Sequence, residues 1–366
     1  MAATIKDIKE LTGLSLATIS KYLNGGNLRP ENRAKIEKAI SELHYEVNEM
    51  ARGLVTSRSK VIGVVVFDIA NVFTCTLLKY LGENFRRAGY APMICDSQND
   101  PELETENVRF LLSKKVDGMI VIPAGQTAAF LQPARNAGIP LVLMDRSLKG
   151  SGIDCVKVNN TASSYQAVEK LYDYGHRRIA IIGSDLEITG KERLDGYLKL
   201  LEEKKISVPP QYIKLGHHSI EHGYKSMQEL LKLEEPPTAV FMGNFEIILG
   251  AVMALNESPF ECPSDVSLIG FDDLIISNLS NPRLTLVVQP LRELADSAAE
   301  LLLKKLEKGE SQDNGKNGFS GEESSAELPE GERILPARIV EGESIARVSN
   351  GVCRPGTEKR FHFQNC

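Results

Sequence analysis

Apolar residues recur at helical spacing up to Tyr45, and from Val61 onward they gather into short β-branched runs. Ile5, Ile8 and Leu11 repeat every third residue and predict one buried stripe on a first helix. Thr4 is its N-cap, and Asp7 completes a capping-box pattern. Thr12-Gly13-Leu14 interrupts the stripe, and Gly13 supplies the backbone freedom that a tight turn between helices needs. Ser15 caps a second helix, Leu16 to Asn24, whose Ile19 and Leu23 lie four apart on the inward face. Leu16, Ala17, Ser20 and Lys21 then point outward. A third helix opens at Pro30 and buries Ile36, Ala39, Ile40 and Leu43. The turn spacing predicts a helix-turn-helix head, whose second helix offers its N-terminal residues to DNA base edges. The plainer alternative is an ordinary three-helix bundle.

The later apolar runs are Val61–Phe67, Met93–Cys95, Met119–Ile122, Leu141–Met144, Ile179–Ile182, Ala239–Met242 and Val266–Gly270. Helical patterns separate most of them, which predicts an α/β fold with parallel sheets. So long a stretch exceeds one such unit, and two subdomains with a cleft between them are expected.

Charge sharpens the division. Residues 1–60 carry ten Lys/Arg against seven Asp/Glu, while the whole chain is −6, so a basic head precedes an acidic remainder. A net +3 is a weak funnel for phosphates, and helix N-termini with the Thr18 or Ser20 hydroxyls must help. Leu16 and Ala17 cannot hydrogen-bond a base but can pack on a thymine methyl; Lys21 is the candidate for a guanine edge or a phosphate.

Other chemistry is thin. No apolar run reaches the length of a membrane span and no signal peptide opens the chain, so a cytoplasmic location is expected. Six cysteines without a CxxC pair argue against zinc and disulfides, and no cofactor is implied. Cys75, Cys95, Cys155 and Cys262 read as buried small apolar residues, Cys353 and Cys366 as tail thiols. The glycines from Gly183 to Gly190 have the wrong spacing for a phosphate loop, and no catalytic constellation is present. His218 and His222, four apart, could ligate a metal, but an exposed helix face is the simpler reading.

The head resembles the LacI–GalR family of bacterial repressors. The matching text is Thr4-Ile5-Lys6-Asp7-Ile8, then Ser15-Leu16-Ala17-Thr18-Ile19-Ser20-Lys21-Tyr22-Leu23-Asn24-Gly25, Glu42-Leu43-His44-Tyr45, Val47-Asn48 and Ala51-Arg52-Gly53-Leu54. The resemblance continues through the core to about Ile345. It implies a head over 1–46, with DNA contacts among Thr4, Ser15, Leu16, Ala17, Thr18, Ser20, Lys21 and Asn24. It also implies a hinge over 47–60, whose short helix, capped by Asn48, orders on DNA. There Leu54 would wedge into the minor groove and Arg52 would contact that groove or a phosphate. Packing of Leu54 on the core is the bland alternative.

For 61–346 the family implies a periplasmic-binding-protein-like effector core in which the chain crosses three times between subdomains. The expected crossings are near Asn160, near Leu286 and within 310–332. That makes one subdomain about 61–159 with 287–309, and the other about 161–285 with 333–346. Position by position, the family implies effector contacts at Phe73, Arg146, Arg193, Asn244 and Asp272. An aromatic face, a guanidinium fork and a carboxylate together suit a polyhydroxylated ligand. Filler, surface ion pair and helix cap are the ordinary alternatives for Phe73, Arg193 and Asp272.

Four departures stand out. Arg29 replaces a Ser- or Thr-like cap, at a cost of roughly 1 kcal/mol. Phe245 and Asn159 stand where the family favours Asp, which raises the hypothesis of a negatively charged effector such as a sugar phosphate. Residues 310–332, acidic and of low complexity after a helix spanning Leu291–Leu306, read as a disordered insertion. The tail, 347–366, has no heptad repeat, so a homodimer rather than a coiled-coil tetramer is expected. The leading expectation is a homodimeric regulator, a repressor in the sense of the family it resembles, that reads a roughly palindromic operator under a carbohydrate-like effector. A solute-binding module with a degenerate head stays open, as does a protein co-regulator.

Overall fold

A computed structural model of the chain describes residues 3–23, 26–45, 58–272, 280–314 and 331–348. The chain divides into two compact units, Met1–Lys60 and Val61–Cys366. Asn24, Asn48, Arg52, Leu54, Cys353 and Cys366 lie outside the described residues.

The first unit holds α1 (Ile5–Thr12), α2 (Leu16–Leu23) and α3 (Pro30–Leu43). Asp7 returns to the start of α1, accepting from Thr4 N at 2.7 Å and Thr4 Oγ1 at 2.9 Å; these bonds hold its carboxyl below the usual range. Gly13 ends α1 at φ 69°, the left-handed backbone that favours glycine. Ser15 Oγ accepts from Thr18 N at 3.1 Å and so caps α2. Arg29 gives α3 no side-chain cap, and Pro30 opens that helix unaided. Ile8, Ile19, Ile36 and Ala39 form the small core. Leu11, expected in the α1 stripe, is instead 52% exposed. One fully buried position, Ile8, with Ile5 half-buried beside it, suffices where an eight-residue helix crosses its neighbours, and Leu11 stays outside the contact.

The second unit is two doubly wound sheets of one topology. The first sheet's strands are β1 (Val61–Val66), β2 (Ala91–Asp96), β3 (Gly118–Val121), β4 (Leu141–Met144) and β5 (Cys155–Val158). Between them run α4 (Val72–Arg87), α5 (Pro101–Ser113) and the short α6 (Gln132–Asn136). The chain then crosses into α7 (Asn160–Asp173), β6 (Ile179–Gly183), α8 (Ile188–Glu203), β7 (Ile213–Leu215), α9 (Ile220–Leu231), β8 (Ala239–Met242), α10 (Phe245–Asn256), β9 (Ser267–Phe271) and β10 (Thr285–Val288). It returns to the first half with α11 (Leu291–Asn314) and β11 (Glu332–Leu335), and ends in the second with β12 (Arg338–Val340).

The sheet orders are β11-β5-β4-β3-β1-β2 and β12-β10-β9-β8-β6-β7. Every pairing is parallel except β10 with β12. Central strands of parallel sheets are covered on both faces, which is why they read as unbroken apolar runs. In the first half Leu77, Leu81 and Phe85 of α4 pack with Leu294, Ala298 and Leu302 of α11 on one face, and Val108 and Leu111 of α5 lie under the other. In the second half Met227, Leu230, Ile247 and Ala251 cover one face, and Val168, Leu171, Tyr197 and Leu200 the other. Gly223 and Gly250 let α9 and α10 touch backbone to backbone; a Cβ at Gly250 would run into Ile220 O. Past β12, His176 Nε2 donates to Ala346 O at 3.1 Å and Val348 N to Tyr174 O at 2.9 Å, pinning the chain to the second half.

Three expectations change. The third crossing lies at Pro336-Ala337, not within 310–332, because β11 still pairs with β5 in the first sheet. Proline's missing N–H ends one short strand before the next begins. Helix α11 continues to Asn314, eight residues past Leu306, through a polar stretch that helix propagation carries without an apolar stripe. Cys75 is exposed on α4, since it lies on the helix's outer face; Cys95 and Cys155 are buried.

Candidate functional site: a reading helix and a polar cleft

In the first unit α2 presents Ser15, Leu16, Ala17 and Lys21 to solvent, with Thr18 and Ser20 half-buried beside them. Tyr22 OH donates to Glu37 at 3.1 Å, and Arg33 stacks 5.9 Å from the Tyr22 ring; these fix α2 against α3. Leu16 is 40% exposed, a large apolar side chain held out of a core that has room only for Ile19. The face has two apolar side chains, hydroxyls at the helix start and one cation, Lys21, with no ion-pair partner among the described residues. Such a set matches thymine methyls, phosphates and a guanine edge or phosphate.

The second unit encloses a cavity of about 290 Å³ between its halves. Every lining residue follows the carboxyl end of a strand, the place where open parallel sheets bind ligands. Phe67, Asp68, Asn71 and Phe73 follow β1, Asn99 follows β2, Ala124 follows β3, and Asp145 with Arg146 follows β4. From the other half come Leu186, Glu187, Thr189 and Arg193 after β6, His217 and His218 after β7, Asn244 and Glu246 after β8, Asp272 after β9 and Gln289 after β10. All five residues expected there (Phe73, Arg146, Arg193, Asn244 and Asp272) meet in this cavity.

The two arginines are laid down alike. Arg146 stacks 4.1 Å over Phe67, and Arg193 stacks 3.8 Å over Phe271. Arg146 Nη1 donates to Pro123 O at 2.8 Å, leaving Nε 3.5 Å from Asp145 and without a hydrogen bond. Arg193 donates to Asn160 Oδ1 at 3.0 Å and Gly243 O at 2.7 Å, and lies 3.7 Å from Asp272. Asp145 and Asp272 hold corresponding places after β4 and β9, both in left-handed backbone, φ 68° and 83°. Non-glycine residues there are strained, and such strain gathers at functional sites. Burial raises the Asp145 carboxyl to about 6, although Arg146 and Arg193 pull it down.

Residues outside the sequence expectation complete the site. Glu246 Oε1 accepts from Asn71 Nδ2 at 2.7 Å, joining the halves, and Oε2 accepts from Asn244. Asn244 also caps α10, its Oδ1 accepting from Ile247 N at 3.0 Å. Gln126 Nε2 donates to Leu186 O at 2.9 Å, a second tie between halves. His218 does not lie on a helix face: it precedes α9 and turns into the cleft, its Nδ1 3.6 Å from Glu187. Burial lowers it to about 3, helped by Arg193 and Arg146, so it is a neutral imidazole whose Nε2 has no partner. His222, on α9, turns inward to Gly183 O at 3.1 Å rather than outward. Gln289 Nε2 donates to Asp272 at 2.5 Å, and its Oε1 has no partner. Buried polar atoms are rarely left unsatisfied. The residues that carry three such atoms, Arg146 (Nε), His218 (Nε2) and Gln289 (Oε1), all line one cavity, which fits a site whose partner is a ligand.

The expectation of a less acidic cleft is corrected. Phe245 removes one carboxylate, but Glu246, one position on, points into the cavity in its place. Five carboxylates face two guanidiniums. The strand positions could have signalled His217, His218 and Gln289, but β7 and β10 are too short or too mixed to stand out as apolar runs.

A helix-turn-helix head and a two-sheet core of the periplasmic-binding-protein type define the class: a DNA-binding transcription regulator with a small-molecule cleft. Residues 4–48 match the model for bacterial regulatory proteins of the lacI family, and residues 168–345 match a periplasmic binding protein-like domain. Catabolite control protein A of Priestia megaterium is 30% identical over 311 residues, covering 84% of this chain and 94% of that protein. The HTH-type transcriptional repressor PurR of Actinobacillus pleuropneumoniae is 32% identical over 306 residues, covering 83% and 91%. The lac repressor dimer bound to operator and the anti-inducer ONPF shares the fold, with a TM-score of 0.80 at 24% identity over 94% of this chain and 100% of that one. The chain belongs to the LacI family of bacterial regulatory proteins. These relatives are regulators rather than enzymes, and no described helix is long and apolar enough to cross a membrane.

Proposed function

We propose that the protein is a homodimeric repressor that reads a roughly palindromic operator and is switched by a small polyhydroxylated, carbohydrate-like effector in the cleft. The observation that carries the effector reading is the set of unpartnered buried atoms, Arg146 Nε, His218 Nε2 and Gln289 Oε1, around one cavity. A sugar supplies a partner for each, with hydroxyl donors for the two acceptors and an oxygen acceptor for the guanidinium. Phe73 offers an apolar ring face beside them. The excess of carboxylates weighs against a sugar phosphate, whose charge it would repel.

On DNA, Leu16, Ala17 and Lys21 would meet base edges, with Thr4, Ser15, Thr18, Ser20 and Asn24 towards the backbone. Paired Leu54 side chains, flanked by Arg52, would open the central step. The operator-bound dimer of the lac repressor supports the two-fold arrangement. The ligand acts only if it favours one state of the core; a hundredfold change in operator affinity needs about 2.7 kcal/mol of coupling.

The test is to mix the full chain with sheared DNA of its own genome, with and without candidate sugars, and sequence what is retained. Recovery of a short palindrome with a flexible centre is expected. No enrichment in any condition would return the protein to the class of solute-binding modules.

A further inference from the structure

We propose that the effector carries a basic nitrogen: the cleft is built for a polyhydroxylated amine, of the amino-sugar class, whose ammonium group sits beside Glu246, Asp272 and Gln289. This rests on the reading of the cleft as a carbohydrate site and names the chemistry within it.

Part of the cavity is rich in acceptors: Asp68, Glu246, Asp272 and Gln289 all line it. Glu246 has both oxygens engaged by neutral amides, Asn71 and Asn244, and no ion-pair partner among the described residues. Asp68 accepts from Ala70 N at 2.8 Å and likewise faces no cation within the described residues. Asp272 is paired with Arg193 at 3.7 Å, which leaves Glu246 and Asp68 as the carboxylates without a cation among the described residues. Gln289 is 6% exposed, and its orientation is fixed because the Asp272 carboxylate can only accept. Its free Oε1 therefore adds another acceptor beside the carboxylates, and both residues line the same cavity as Glu246. Burial first, and then Asp272 and Asp68 nearby, push the Glu246 carboxyl up, a penalty on its charged form that a bound cation would relieve.

A hydroxyl brings one proton and no charge. An ammonium brings three donors and the missing cation, while Arg146 Nε remains for a ring or hydroxyl oxygen. A metal ion is the weaker occupant: among the described residues no cluster of three His, Cys, Asp or Glu side chains has ligating geometry.

The test is calorimetry on the full chain with matched series in which one position bears hydroxyl, ammonium or phosphate: D-glucose, D-glucosamine and D-glucose 6-phosphate, and the galactose and mannose equivalents. The expected result is an amine that binds at least about tenfold more tightly than its neutral parent. Glu246→Gln should bring the ratio of amine to neutral-sugar affinity down to about one, whatever happens to the absolute affinities, and Glu246→Asp should restore part of that ratio. Neutral sugars binding as tightly as their amines would overturn this inference and leave the carbohydrate reading intact. Binding by no compound in any series would overturn both.

Discussion

The reading head and the cleft solve opposite problems. The head is a short helical unit whose fully buried core is Ile8, Ile19, Ile36 and Ala39, and the residues proposed to read DNA are ones left outside it. The cleft hides the residues proposed to hold the effector: Arg146 and Arg193 are 5% and 4% exposed, and three cavity-lining residues carry an unpartnered buried polar atom. A DNA reader meets a large, wet, charged surface and needs only to present side chains. A small-molecule sensor must replace the water around its ligand, so it keeps polar groups buried and unsatisfied until the ligand arrives. Damage to the head's small core should therefore act through folding, and damage to the cleft through ligand binding as well as stability.

The sharpest separation comes from Arg193→Ala. It strips Asp272, Asn160 and Gly243 of a buried partner, which costs about 4 kcal/mol where one member of a buried pair is removed. Effector binding should vanish in calorimetry while the head still binds operator; loss of both together would break the comparison. Ile36→Ala is the converse. Removing a fully buried side chain costs about 3 kcal/mol, a large share of what so small a core supplies. Operator binding should fall away in a mobility shift, with effector affinity unchanged.

A third outcome concerns the core alone. Burial pushes His176 down to about 4, and its two nitrogens contact Thr238 and Ala346. The unfolded chain takes up this proton near pH 6.5 and the folded chain only near 4. Stability is thus fully present above about 6.5 and lost as pH falls toward 4, by about 2 kcal/mol at pH 5. Thermal unfolding of the core should show this slope, and His176→Asn should flatten it; His218, lowered by burial in the same sense, leaves a remainder. The smallest effect is Lys21→Ala, about 1 kcal/mol at one base pair of each half-site if Lys21 reads a base. Equal weakening on all sequences in a binding-site selection would make it a phosphate contact instead.

The two regions also differ in how far they were legible. The head's caps, turn and outward face are local, and Thr4, Gly13, Ser15 and Ile19 all behave as their spacing predicts. Leu11 fails because periodicity cannot say how far along a short helix the neighbour reaches. In the core the central strands were readable as apolar runs. β5 and β7 are interrupted by Lys157 and Lys214, and β11 and β12 are half-exposed edges only three or four residues long, so alternation is brief. With β7 and β10 unread, His218 and Gln289 had no strand end to mark them. Arg193 and Asp272 emerged only through family resemblance, since the cavity joins residues from loops spread across the whole core.

The central claim is that occupancy of the cleft is felt at the operator. Fluorescence anisotropy with a labelled operator recovered from the genome would measure this directly, with salt and the cleft ligand as variables. The account predicts affinity that drops steeply with salt, as several phosphates are neutralised. It also predicts a change of about tenfold or more on saturating the cleft, absent in Arg193→Ala. Tight operator binding that ignores a ligand shown by calorimetry to fill the cleft would contradict it.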